Sequence, residues 1–163
     1  MANDQAPAAP RGLLRLGYRL PIALYRVRLG WLLGHRFLLL THRGRKSGTL
    51  RRAVLEVVSY DPTTRESAVV SAYGDRADWY QNILASPPIA VQTGRERFVP
   101  QFRLMASDER LAALTNYRRR YKRAFAAVMR FLGFAYDGTE SGLPALADQV
   151  IMVAFRPQES ATR

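Results

Sequence analysis

The residues of this 163-residue chain best suited to bind an anion lie between positions 41 and 52, where the sequence is THRGRKSGTLRR. Arg43, Arg45 and Lys46 offer charged donors, and Gly44 and Gly48 allow a ligand to approach the backbone closely. Each charge-assisted hydrogen bond contributes about 1.5–3 kcal/mol, so three or four could hold a phosphate or a carboxylate tail. A strand rather than a helix follows, which excludes a Walker phosphate loop. The segment predicts an anion-binding turn; a solvated basic turn or a nucleic-acid patch is the alternative.

A second group combines small and aromatic residues between positions 71 and 82. The pattern predicts a strand over 67–73 and a short helix over 79–85, capped by Asp78. Ser71 and Ala72 are small enough for a flat ring to lie against the backbone at the end of the strand. Trp79 could support such a ring, or it could be only an anchor of the hydrophobic core.

A third group is the pair Tyr117 and Tyr121, which are four residues apart and so share one face of a predicted helix. The segment 117–123 carries five positive charges in seven residues, a pattern typical of a solvated helix face. Phe125 continues the aromatic stripe into a packed region. The two tyrosines are therefore candidates for contact with a substrate.

Other kinds of active site are excluded by composition. The chain has no cysteine and two histidines, and neither His35 nor His42 stands in a metal-ligand spacing. There is no nucleophile elbow and no pair of carboxylates spaced for acid–base catalysis. We therefore expect no metal site and no hydrolase chemistry.

The charge and the hydrophobic pattern indicate one domain preceded by a basic segment. The net charge is +12, concentrated in the first third of the chain, which favours an anionic partner. No apolar run approaches the roughly 20 residues of a membrane span, and the absence of a basic start argues against a secretory signal. We expect a flexible N-terminus over 1–10, a basic amphipathic helical segment over 11–34, a barrel domain over 35–156 and a tail over 157–163. The helical segment could cover one end of the barrel or lie on anionic lipid.

The remaining pattern is that of a small antiparallel barrel with flanking helices, an α+β fold. Strands are predicted at 37–41, 50–60 and 67–73, followed by a hairpin of 89–93 with 97–104. A helix capped by Ser107 should continue, with a break, to about residue 131. A loop is predicted over 133–149 and a last strand over 150–155.

Two motifs in combination resemble the deazaflavin-dependent nitroreductase family, the F420-dependent split β-barrel oxidoreductases. They are FLLLTHRGRKSG at 37–48 with Arg51, and Trp-Tyr-Gln-Asn at 79–82. The resemblance implies a split β-barrel of the flavin-reductase-like, FMN-binding type. It also implies coenzyme F420, an 8-hydroxy-5-deazaflavin with a phosphate and an oligoglutamate tail, which would donate a hydride to an acceptor.

The resemblance further implies roles for individual residues. Arg45, Lys46 and Arg51 would bind the phosphate and the acidic tail, while Ser47 and Gly48 shape the turn. The deazaflavin ring would be lined by Val54, Ser71, Ala72 and Tyr73 and supported by Trp79 and Asn82. Tyr117 and Tyr121 would face the acceptor, with Tyr121 as its acid or orienting group.

The chain departs from the family pattern at two positions. Glu56 stands where family members have a tyrosine, and Ala72 stands where they have a serine. The expected acceptor is an electron-poor apolar molecule such as an enone, a quinone or a nitroaromatic. The resemblance also implies a homodimer and a cytoplasmic protein, in contact with the inner face of the membrane through residues 11–34. An FMN-binding split barrel, or a nucleic-acid or membrane-surface module without catalysis, is the alternative.

Overall fold

Burial along the first strand shows how the sheet is built. The computed structural model describes residues 30–131, 133, 134 and 136–158. In Phe37–Arg43 every second side chain is buried, namely Leu38, Leu40 and His42, as expected of a strand with one face on a core. The strands are β1 (Phe37–Arg43), β2 (Leu50–Asp61), β3 (Glu66–Ser71), β4 (Ala90–Thr93), β5 (Glu96–Phe98), β6 (Pro100–Leu104) and β7 (Ile151–Pro157).

These strands form one antiparallel sheet in the order β5-β4-β1-β2-β3-β7-β6. Its two outermost strands, β5 and β6, are consecutive in the chain and separated by Val99 alone. The sheet must therefore curl until its edges meet. The backbone N–H of Gln158 donates to the carbonyl of Val99 at 3.0 Å, which ties the end of β7 to this corner. The predicted small antiparallel barrel with flanking helices is confirmed.

The sheet has a hydrophobic core on each face. Leu55 and Val57 of β2 belong to the core inside the barrel, together with Phe155 of β7. Val58 belongs to the other core, which lies between the outer face and the helices and includes Phe125. The helices are α1 (Asp78–Ala85), α2 (Ser107–Arg120), α3 (Lys122–Phe131) and α4 (Leu143–Gln149).

The predicted hairpin of 89–93 with 97–104 is only half correct. β4 pairs with β5, but the chain then breaks at Val99, and β6 pairs with β7 instead. Pro100 begins β6, and a proline is tolerated at the first position of a strand because it has no N–H to donate to a ladder. The single predicted strand is therefore two strands on opposite edges of the sheet.

The predicted loop over 133–149 is wrong in its second half, where helix α4 forms. Leu143, Leu146 and Ala147 are buried on one face of α4, at the spacing of an amphipathic helix. Pro144 lies in its first turn, where a proline is compatible with a helix. The proline is therefore part of a helix start rather than a loop.

The predicted helix caps Asp78 and Ser107 are also wrong, because each is the first residue inside its helix and an alanine precedes it. The Ser107 hydroxyl donates instead to Asp148 at 2.5 Å. At the start of α2 the carboxylate of Glu109 accepts the backbone N–H of Ala106 at 2.8 Å. The predicted break in this helical region is confirmed at Tyr121, between α2 and α3.

Most of the predicted N-terminal organisation lies outside the described residues. The structure does not describe three of the predicted parts: the segment 1–10, the first nineteen positions of 11–34, and positions 159–163 of the tail. Within the described part, Gly30–Leu33 forms one turn of 3-10 helix before β1. No helix in the described ranges is long and apolar enough to cross a membrane.

Candidate cofactor and acceptor site

The predicted anion-binding turn is the loop between β1 and β2, and its backbone closes on itself. The N–H of Gly44 donates to the carbonyl of Thr49 at 2.9 Å, and the N–H of Gly48 donates to the carbonyl of Gly44 at 2.8 Å. Gly48 has a φ of 66°, a left-handed conformation that favours glycine. A Cβ on Gly44 would lie 2.9 Å from Nε of Arg51. The shape of this turn therefore requires glycine at Gly48, whereas a Cβ at Gly44 would displace the side chains of Arg51 and Ser47.

The turn presents cations that have no carboxylate partner. Among the described residues no carboxylate forms an ion pair with Lys46 or Arg51, and both side chains are exposed. The hydroxyls of Ser47 and Thr49 lie 2.7 Å apart. Both residues are exposed at the surface of the turn. Uncompensated donors around glycines suit a polyanionic ligand.

Helix α1 holds the turn in place through Arg45. Oδ1 of Asn82 accepts the backbone N–H of Arg45 at 2.9 Å and its guanidinium at 3.2 Å. The guanidinium also donates to Asp78 at 2.9 Å. The hydrogen bond and charge of Arg45 lower the pKa of the Asp78 carboxyl. Asn82 therefore joins the turn directly, as the predicted grouping of these residues requires.

The Asn82 amide lies between Arg45 and the buried His42, and these two partners fix its orientation. Because Oδ1 of Asn82 accepts from Arg45, its amide nitrogen faces His42, 3.3 Å from the ring Nδ1. Nδ1 also lies 3.5 Å from the carbonyl oxygen of Arg43; the shorter contact with Asn82 favours Nδ1 as the accepting nitrogen, with the proton of the neutral ring on Nε2. Burial lowers the pKa of His42, which favours this neutral form. The sequence indicated no role for His42, because its partner lies forty positions away.

The residues expected to line the ring are divided between two faces of the sheet. Val54 has the parity of Glu56 and Val58, which places all three on the outer face of β2. Ser71 is fully buried and its hydroxyl donates to the carbonyl of Gly74 at 2.6 Å.

Ala72 is half-buried and Tyr73 is 51% exposed, just after the end of β3. Trp79 packs on the core inside the barrel, with its ring centroid 6.4 Å from that of Phe155. This is the contact expected of a core anchor. Any support of a bound ring by Trp79 stays a prediction.

The two candidate tyrosines lie together, as predicted, with ring centroids 5.1 Å apart. The hydroxyl of Tyr117 donates to the carboxylate of Glu56 at 2.6 Å. Burial, and then this bond to an anion, raises the pKa of Tyr117. Glu56 also lies 3.8 Å from the guanidinium of Arg36. The departure from the family pattern at position 56 therefore places a carboxylate against a buried tyrosine.

A cavity of about 520 Å³ opens beside these tyrosines. The guanidinium carbons of Arg36 and Arg120 lie 5.4 and 5.6 Å from the centre of the Tyr121 ring. On another wall His35 and Tyr60 stack with ring centroids 3.8 Å apart. Its lining residues are Leu33, His35, Arg36, Val57, Val58, Ser59, Tyr60, Asn116, Tyr117, Arg120 and Tyr121.

The sequence did not predict most of this lining, because the contributing residues come from β2, the end of α2 and the segment before β1. Strand β2 connects the cavity to the basic turn. Arg51 pairs with His42 near the turn, and Glu56 pairs with Phe37 at the other end of β1. Five residues of strand span roughly 17 Å. No group of three or more metal-ligating side chains occurs among the described residues.

One strand of the barrel, β2, therefore joins a turn that carries several cationic side chains to a cavity lined by aromatic residues. The sequence matches the family model described as F420H(2)-dependent quinone reductase over residues 19–129. The chain belongs to this family. It is an F420-dependent oxidoreductase, and coenzyme F420 is its cofactor. The family therefore favours F420 over the alternatives of an FMN protein and of a module without catalysis.

Solved structures with the same fold include one described as an F420-H2 dependent reductase, FDR-A. It is 21% identical, with a TM-score of 0.50, and the match covers 76% of this chain and 96% of that one. A second, described as a domain-swapped dimer, is 18% identical with a TM-score of 0.51, covering 83% and 99%.

A third solved structure is a pyridoxamine 5'-phosphate oxidase-related, FMN binding protein from Nostoc punctiforme. It is 17% identical with a TM-score of 0.47, covering 85% of this chain and 78% of that one. None of the curated proteins matches the chain. The predicted split β-barrel class is confirmed.

The residues of the turn fit the cofactor that the family implies. F420 carries a phosphate and several carboxylates, and the turn offers two cations without carboxylate partners beside two glycines that leave the backbone accessible. A ligand with one phosphate would use fewer of these donors.

Proposed function

We propose that the chain uses F420H2 to reduce an electron-poor apolar acceptor, such as a quinone, an enone or a nitroaromatic. The observation that carries the proposal is the position of the basic turn and the aromatic cavity at the two ends of β2. An extended cofactor could have its anionic tail at the turn and its reactive ring toward the cavity, where the acceptor would lie. When bound, the cofactor supplies the hydride.

On the cofactor side, the side chains of Arg45, Lys46 and Arg51 bind the phosphate and the acidic tail. Ser47 and Gly48 shape the turn, and Asn82 holds it through Arg45. The ring lies near Ala72, Tyr73 and the backbone of Ser71, with Val54 on the outer face of β2; support from Trp79 requires its side chain to leave the core inside the barrel. The backbone near Ser71 and Ala72 can contact a flat ring, since the Ser71 hydroxyl is already bonded to Gly74.

On the acceptor side, Tyr121 and Tyr117 have different roles. The hydroxyl proton of Tyr117 points at Glu56, and the pKa of Tyr117 is raised, so Tyr117 is a poor proton donor to an acceptor. It holds the wall of the cavity instead. The hydroxyl of Tyr121 has no hydrogen-bond partner among the described residues, and its ring lines the cavity. Tyr121 therefore orients the reduced acceptor or donates a proton to it.

The cofactor assignment is tested by titrating oxidised F420 and FMN separately into the purified protein. We expect F420 to saturate near one per chain and to bind more tightly than FMN. Lys46→Ala should weaken F420 roughly 10- to 100-fold, because one charge-assisted contact of about 1.5–3 kcal/mol is lost. Lys122→Ala removes the other lysine of the chain, outside the turn and the cavity lining, and is the matched control.

Turnover is measured by mixing F420H2 with a quinone, an enone and a nitroaromatic. Oxidation of F420H2 that depends on one of these acceptors supports the proposal. Equal effects of Lys46→Ala and Lys122→Ala on F420 binding would place the tail elsewhere, and no saturable binding of F420 would refute the proposed site.

The proposal includes the N-terminal segment and the oligomeric state. Arg11, Arg15 and Arg19 are spaced to share a helix face, which supports contact of residues 11–34 with an anionic membrane surface, from a cytoplasmic location. Homodimer formation is supported by the related structure described as a domain-swapped dimer. Co-sedimentation with anionic and with neutral vesicles tests the first statement, and light scattering tests the second.

A further inference from the structure

We propose that the acceptor carries an anionic group, of the carboxylate class, which binds between Arg36 and Arg120 while its aromatic part occupies the cavity. The inference rests on the proposed function and names the substrate class of the same site. It starts from the charge of the lining: Arg36 and Arg120 are both in it, and no Asp or Glu from the described part of the chain is.

The carboxylate nearest the cavity compensates only one of the two arginines. Glu56 lies 3.8 Å from Arg36 and also accepts the Tyr117 hydroxyl at 2.6 Å. Arg120 forms no ion pair with any carboxylate of the described residues. The lining therefore keeps an excess of positive charge.

Tyr121 contacts both guanidinium groups. They lie 5.4 Å (Arg36) and 5.6 Å (Arg120) from the centre of its ring, within cation–π range. Both cations are therefore held at the cavity, where each can attract an anion that binds there. A guanidinium also offers the planar fork that matches a carboxylate. The positions are therefore prepared for an anion before it binds.

The two neighbouring arginines show that an arginine without a carboxylate partner in the cavity lining is not a property of the whole end of α2. Arg118 donates to the carbonyl of Gly138 at 2.9 Å and lies 3.9 Å from Glu140, so its charge is compensated. Arg119 is exposed and does not line the cavity. Of three consecutive arginines, Arg120 alone is in the lining.

The size and walls of the cavity suit an aromatic acid. A volume of about 520 Å³ lies within the usual range of roughly 300–1,000 Å³ for small-molecule sites. Tyr60 and Tyr121 supply aromatic walls, and Val58 supplies an apolar one. The occupant expected from this chemistry has one or two rings and one carboxylate.

The test compares a carboxylate with its uncharged isostere. Binding of 2-naphthoate and of 2-naphthamide is measured by calorimetry on the full chain, with and without oxidised F420. The variants are Arg120→Gln, which removes the charge and keeps much of the side-chain length, and Arg119→Gln as the matched control. Turnover of a benzoquinone with a propanoate side chain is compared with that of its methyl amide.

We expect the carboxylate to bind roughly tenfold more tightly than the amide, as for one hydrogen bond to a charged group. Arg120→Gln should remove this preference, and Arg119→Gln should retain it. Equal binding of the two probes to the wild type, or an equal loss in both variants, would overturn the proposal. If naphthoate is preferred but F420H2 is not oxidised by the quinones, the proposed reduction fails while the anion site stands. If the quinones are reduced without preference for the carboxylate, only the anion site fails.

Discussion

Replacing Asn82 by alanine should destabilise the protein and loosen the basic turn together. Asn82 is 2% exposed and makes three contacts. It accepts from the backbone N–H of Arg45 at 2.9 Å and from its guanidinium at 3.2 Å, and it donates to Nδ1 of His42 at 3.3 Å. A buried polar group left without a partner costs about 1–3 kcal/mol. Water can reach Arg45 after the substitution, whereas His42 is 3% exposed. We therefore expect a loss of about 2 kcal/mol in the free energy of unfolding.

The measurement is urea unfolding, combined with titration of oxidised F420. Leu84→Ala is the control because Leu84 lies on the same helix and is 52% exposed, so its substitution should change stability by less than about 0.5 kcal/mol. Asn82→Ala should also weaken F420 several-fold, since Arg45 loses its fixed position. A loss of stability with unchanged F420 affinity would show that Asn82 does not position the turn. Equal unfolding free energies for Asn82→Ala and Leu84→Ala would refute the reasoning itself.

Three further predictions concern a buried histidine, the acceptor cavity and the outer core. The pKa of His42 is below its unfolded value of 6.5, so the unfolded chain takes up a proton first as the pH falls. The contribution of neutral His42 to the free energy of unfolding is complete above pH 6.5 and is lost as the pH falls through the folded pKa. In urea unfolding measured from pH 7 to pH 5, the free energy of unfolding should therefore fall less in His42→Gln than in the wild type. Tyr121→Phe should lower the turnover of F420H2 with a quinone at least tenfold and leave F420 affinity unchanged, and an unchanged rate would exclude proton donation by Tyr121. Phe125 is 1% exposed, and Phe125→Ala should cost about 3–5 kcal/mol in urea unfolding, whereas a cost below 1 kcal/mol would show that the outer core collapses around the gap.

The parts of the structure that could be predicted from sequence depend on local spacing. Tyr117 and Tyr121 were expected together because residues four apart share a face of a helix, and their rings do meet although Tyr121 lies at the break just after α2. The basic turn follows from two glycines and a cluster of cations between two apolar strands. Strand positions were predicted where apolar residues alternate, as in β1. These features need no knowledge of the rest of the fold.

The errors arose where a local signal competes with a distant partner. Asp78 has the residue type of a helix cap, but its carboxylate is bonded to Arg45, thirty-three positions earlier. Ser107 similarly bonds Asp148. The glycines before α4 and the proline in its first turn indicated a loop, because the burial of Leu146 depends on packing against α2, which a local window does not contain.

The sequence by itself therefore determined the small antiparallel barrel, the basic turn and the pair of tyrosines, because spacing along one strand, turn or helix is a property of the covalent chain. Tertiary structure decided the rest. The contact of Asn82 with Arg45 and His42, and that of Tyr117 with Glu56, join residues between 37 and 61 positions apart. The cavity with Arg36 and Arg120 exists only where the segment before β1 meets the end of α2. Such contacts depend on the closed barrel, since its curvature sets which side chains from distant positions face each other.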